Sequence, residues 1–208
     1  VTQVVGNARH CSVGALEQFL DECATEVSRR AALDPSQRTV LLDGAERFRD
    51  SVDSVTSRHA RTDPARTHAA RTHAARTDVP LTAQLDRLAS GPLVASLLTA
   101  RHELTWIPST RASDGGTERA LSPLNDVCDL GDVTAGLMLI GARADYPEHA
   151  HPPNEIYLPI SGSGVWRHGG DEGYRLLDDT ELVYNPPHGI HGARAGAEPL
   201  VALYVLWN

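Results

Sequence analysis

The sequence predicts an α+β protein: a helical N-terminal region over residues 1–105, then an antiparallel β-barrel (jelly roll) over 106–208. Two observations predict this. Up to Ala100 the large apolar residues recur at helical spacing, and from Trp106 onward Pro, Gly and Asp punctuate short apolar runs. The size agrees, because 208 residues suffice for one compact domain with a core, or a small domain with a helical arm. With 41% hydrophobic and 22% charged residues, the composition is that of a globular protein.

The helical part opens over residues 12–58. Leu16, Phe19, Leu20 and Val27 form one apolar stripe, and Val40, Leu41, Ala45 and Phe48 form another within Thr39 to Val55. Asp34-Pro35-Ser36 separates the two. Such helices either cover a barrel face or meet a second copy of the chain, so a homodimer is among the expectations. Residues 60–78 are a tandem of an ARTHA-like unit without large apolar side chains, read as a solvated loop in which His68 and His73 are filler. Residues 80–100 return to helical spacing through Leu81, Leu85, Leu88, Leu93, Leu97 and Leu98, with Gly91-Pro92 splitting them into two short helices. Strands are expected at 135–142, 155–160, 164–168, 181–184 and 200–207, in a closed antiparallel arrangement.

Charge and composition narrow the function. A net charge of −8 without a dense Lys/Arg stripe argues against nucleic acid as a partner. No apolar run is long enough to span a membrane, and the N-terminus lacks the layout of a signal peptide. Cys11, Cys23 and Cys128 form no CxxC pair, as in a reduced intracellular protein, so the cytoplasm is the expected location. A small molecule is the expected substrate.

The chemistry gathers in Tyr146-Pro-Glu-His149-Ala-His151-Pro-Pro-Asn-Glu155-Ile-Tyr157. Side chains two apart on an extended chain share a face, so His149 and His151 converge, as do Glu155 and Tyr157 after the Pro-Pro turn. Ile156, Leu158 and Ile160 then fall on the opposite, buried face. Burying imidazoles with a carboxylate is costly unless something satisfies them, and one divalent cation does so. Mixed imidazole–carboxylate ligation suits zinc, iron, manganese, nickel or cobalt. A further His completes such a set, and Asn185-Pro-Pro-His188-Gly-Ile-His191 offers two, of which His191 is preferred.

The pattern H-x-H-x3-E-x-Y, then Gly-containing turns, then Pro…His resembles the cupin superfamily. YPEHAHPPNEIYLPISGSGVW followed by NPPHGIHGAR looks more narrowly like the bacterial cupin-type dimethylsulfoniopropionate (DMSP) lyases. The resemblance covers roughly 146–194, with a longer hairpin at Gly169–Gly173 and fewer aromatic residues than the family pattern. It implies a C-terminal cupin barrel in which His149, His151, Glu155 and His191 hold the metal. It further implies that Tyr157 acts as base, with Tyr146 as a second active-site tyrosine. The reaction implied is β-elimination of DMSP to dimethyl sulfide and acrylate. Trp166 is the aromatic best placed by sequence to face the sulfonium, with barrel packing as its other role. His188 is read as a turn histidine, His102 and His168 as residues without function, and Cys128 as a small buried hydrophobe ahead of the first barrel strands. Another metal-dependent cupin enzyme (dioxygenase or isomerase) and a non-catalytic cupin binding a small carboxylate are the alternatives.

Overall fold

The computed structural model describes residues 14–59, 80–109, 118–169 and 172–208. The ARTHA-like tandem with His68 and His73, Cys11, and part of the Gly169–Gly173 hairpin lie outside the described residues.

Helix α1 spans Ala15–Ala31 and buries Leu16, Phe19, Leu20, Cys23 and Val27, the stripe its spacing predicts. At its start the Gly14 N–H donates to Glu17 Oε2 over 2.9 Å, using one of the donors a helix end leaves unpaired. The Asp34 carboxylate then accepts from the Ser36 and Gln37 N–H groups, which turns the chain into α2, Arg38–His59. Leu41, Ala45, Phe48, Val52 and Val55 form the buried stripe of α2. After residue 80 the outcome differs in kind. Pro80–Arg87 is a 3-10 helix, and only the second segment, α3 (Pro92–Ala100), is α-helical, with Gly91 as its N-cap. Leucine spacing alone does not separate the two helix types over so short a run.

The strands are β1 (Ile107–Pro108), β2 (Arg119–Pro123), β3 (Thr134–Ile140), β4 (Asp145–His149), β5 (Asn154–Ser161), β6 (Gly164–Arg167), β7 (Arg175–Leu176), β8 (Val183–Asn185), β9 (His191–Ala195) and β10 (Leu200–Trp207). They form a six-stranded sheet, β1-β2-β3-β10-β5-β8, and a four-stranded sheet, β4-β9-β6-β7. All pairings are antiparallel, giving a double-sheet jelly roll. Cys128 is buried but follows β1 and β2 rather than preceding the barrel strands.

Among the described residues two apolar clusters form, one on each face of the six-stranded sheet. Ile156, Leu158, Val201, Leu203, Val205, Leu137 and Leu139 pack against the helices. Met138, Ile140, Tyr157, Leu200 and Ala202 point the other way, toward Tyr146, Trp166 and Ala193 of the small sheet. Hence the helices cover the outside of the large sheet. A sheet buried on both faces needs apolar residues at nearly every position, which is why β3 and β10 read as unbroken apolar runs. Among the described residues, no helix is long and apolar enough to cross a membrane.

Candidate metal centre

Strand β4 ends in His149 and β9 begins with His191, and the two are paired across the ladder. Between the Tyr146↔Ala193 and His149↔His191 pairs the register shifts, so β4 carries a bulge beside the site. His151 follows in the Pro-Pro turn into β5, on which Glu155 and Tyr157 share the barrel face. The three imidazole ligand atoms all lie within 4.8 Å of one another, and the rings of His149 and His191 are 4.1 Å apart, centre to centre. His188, by contrast, is exposed in a left-handed turn (φ 61°), and its backbone N–H donates to the His151 carbonyl over 2.8 Å. His191, not His188, therefore joins the cluster.

The orientation of each ring follows from its own stretch of backbone. Nδ1 of His149 lies 2.9 Å from the Pro147 carbonyl, Nδ1 of His151 3.2 Å from that of Pro153, and Nδ1 of His191 2.8 Å from that of Gly189. A carbonyl only accepts, so each Nδ1 carries the hydrogen, and in a neutral ring Nε2 keeps its lone pair. Glu155 Oε2 sits 3.2 Å from His151 Nε2 and 3.0 Å from His191 Nε2. Asn185 Nδ2 donates to the same oxygen over 2.9 Å.

This arrangement passes a chemical test for a cation. With neutral rings, Nε2 and carboxylate lone pairs confront each other, and His191 Nε2 is buried without a hydrogen bond of acceptable geometry among the described residues. Either protons or a metal ion must relieve that repulsion. His149, His151 and His191 thus form a group able to hold a metal ion, with the Glu155 carboxylate against it. Burial pushes the Glu155 carboxyl up, but His151 and His191 more than offset this and bring it down to about 2, keeping it anionic.

The aromatic residues named from the sequence line the same interior. The Tyr146 ring meets His149 edge-on with centroids 4.9 Å apart, and Tyr157 lies 5.3 Å from Trp166 and 6.4 Å from His191. Burial, followed by the Glu155 charge, pushes the Tyr157 phenol well above its ordinary value. Between Tyr146, Tyr157, Trp166 and His191 the side chains leave no void of water size. His149 and His151 are only half-buried and open the cluster toward solvent. His102 is exposed and His168 buried. Sequence reasoning missed Asn185, and the signal that reveals it is its place opposite Glu155 in the β5–β8 ladder.

The comparisons bear on both fold and family. DMSP lyase DddQ from Ruegeria pomeroyi DSS-3 superposes with a TM-score of 0.57 at 19% identity, over 78% of this chain and 92% of that one. A structure from work on the DMSP lyases RdDddP and RnDddQII gives 0.58 at 20% identity, over 83% of this chain and 94% of that one. At such identities the likeness speaks for the fold alone. No curated protein sequence matches at a significant level. The dimethylsulfoniopropionate lyase family profile matches residues 53–202, a span that runs from α2 through all four candidate ligands into β10. On that match the chain belongs to the dimethylsulfoniopropionate lyase family and is an enzyme of the lyase class.

Proposed function

We propose that the protein cleaves DMSP to dimethyl sulfide and acrylate by metal-dependent β-elimination, with His149, His151, Glu155 and His191 as the ligands of one divalent ion. One observation carries this reading: three Nε2 lone pairs and a carboxylate converge beside a buried phenol, Tyr157, on the neighbouring inward position of β5. The donor set accepts zinc, iron, manganese, nickel or cobalt alike. When bound, such an ion supplies positive charge that favours both a substrate carboxylate and ionisation of a nearby phenol.

The chain's own residues do the rest. Tyr157 takes the proton from the carbon next to the substrate carboxylate. That C–H pair becomes the new carbon–carbon double bond, and the C–S pair leaves with dimethyl sulfide. Burial and Glu155 favour the protonated phenol, so Tyr157 would act as base with an ion held by His149, His151, Glu155 and His191 to favour its phenolate. Tyr146, against His149, is the second hydroxyl in reach of the same region. Trp166 offers its ring face to the sulfonium. The packed interior means that substrate, arriving from the open side of His149 and His151, must part these rings.

The test is headspace dimethyl sulfide from DMSP with metal-reconstituted protein, alongside Tyr157→Phe and His151→Ala. Release is expected from the wild type, with a loss of about 10²–10⁴-fold in Tyr157→Phe and near-complete loss in His151→Ala. No release from metal-loaded wild type overturns the substrate. Full activity in Tyr157→Phe removes Tyr157 as base.

A further inference from the structure

The four candidate ligands are steadied in two different ways. Each histidine leans on a backbone carbonyl two residues away in its own segment. Among the described residues, Glu155 meets side chains: it faces the two imidazoles, the Tyr157 phenol interacts with it, and the amide of Asn185 donates to it. Asn185 is fully buried, directly opposite Glu155 in the ladder, and lines the same interior as Tyr157 and His191.

The amide's orientation is dictated chemically. Turned over, its Oδ1 would face the carboxylate oxygen, two acceptors in contact; as placed, Nδ2 donates. The cost is that Oδ1 is buried without a hydrogen-bond partner among the described residues. An apolar residue of this size would fill the position without stranding a polar atom, so packing alone does not account for the amide. A neutral donor has a further property. It fixes a carboxylate without cancelling its charge, as Arg or Lys would.

We propose that Asn185 is a positioning residue for the metal centre, holding Glu155 Oε2 toward His151 and His191 while leaving its negative charge to the cation. The inference rests on the metal reading above and adds the group that aims its single anionic ligand.

Cobalt(II) tests it without catalysis. The ion is titrated into metal-free protein against a competing chelator while its visible d–d bands are recorded, for wild type, Asn185→Leu and Asn185→Ala. Leucine keeps the bulk and removes the donor, so affinity should fall about 10–100-fold and the bands should change as Glu155 loses its aim. Alanine leaves room for a water to donate, and a smaller loss is expected. Thermal unfolding of each metal-free form shows which variants are folded, and Asn185→Ala decides the matter where leucine prevents folding. Wild-type affinity and bands in the folded variants overturn the role of Asn185 alone. A wild type that takes up no cobalt overturns the metal reading and this inference with it.

Discussion

The two faces of the six-stranded sheet do different work with the same strands. On β5, Ile156 and Leu158 pack against the helices, while Glu155 and Tyr157, their immediate neighbours, face the barrel interior. On β10 the alternation repeats, with Leu203 and Val205 toward the helices and Ala202 and Tyr204 inward. The helix side is mainly an aliphatic core whose contribution is burial, whereas the interior concentrates phenols, an indole and imidazoles. The period of two in a strand lets one segment hold the fold together and present chemistry, with neither function intruding on the other.

Substitutions on the two faces should therefore separate stability from activity. The largest effect is expected for His191→Ala, which removes a candidate ligand buried to 2% exposure. DMSP turnover should fall by 10³-fold or more, on the order of 4 kcal/mol of lost transition-state stabilisation. The rise in melting temperature on adding metal should vanish, while the metal-free melting temperature stays close to wild type. A fully active His191→Ala would break the division. Next comes Leu158→Ala on the helix side, expected to cost about 2–5 kcal/mol in denaturant unfolding while leaving cobalt affinity of the folded protein unchanged.

The smallest of the three sits where helix meets sheet. A Cβ on Gly44 of α2 would come within 2.6 Å of the Trp207 ring and 2.9 Å of Ile156. Gly44→Ala should cost about 1–3 kcal/mol through overpacking, seen as a lower urea midpoint with unchanged activity per folded molecule. A neutral or stabilising result would mean that helix α2 does not sit tightly on β10.

The same division explains what could be read from the sequence. The helices and the strands β3, β5 and β10 announce themselves because burial demands apolar residues at regular spacing. The candidate ligands were equally legible as a cluster, since His149, His151 and Glu155 lie close together in the chain. Strands β4 and β9 were not foreseen: DYPEH and HGARA are short and poor in large apolar residues, their positions going to candidate ligands and to polar or small side chains. RALSP in β2 has the same weakness. The contact between Asn185 and Glu155 was beyond reach for another reason. It exists only through the register of β5 and β8, and register belongs to the assembled sheet.

The place of β10 has a consequence for how the chain is made. It lies between β3 and β5 and is hydrogen-bonded to both, yet it is synthesised after either. Until residues 200–207 leave the ribosome, β3 and β5 present open edges to whatever is nearby. Their ladder to β10 cannot begin before then. All four candidate ligands have been made by residue 191, ahead of the strand that joins the halves of the large sheet. The large sheet therefore closes late, because its central long-range ladders form only once the C-terminal strand is available.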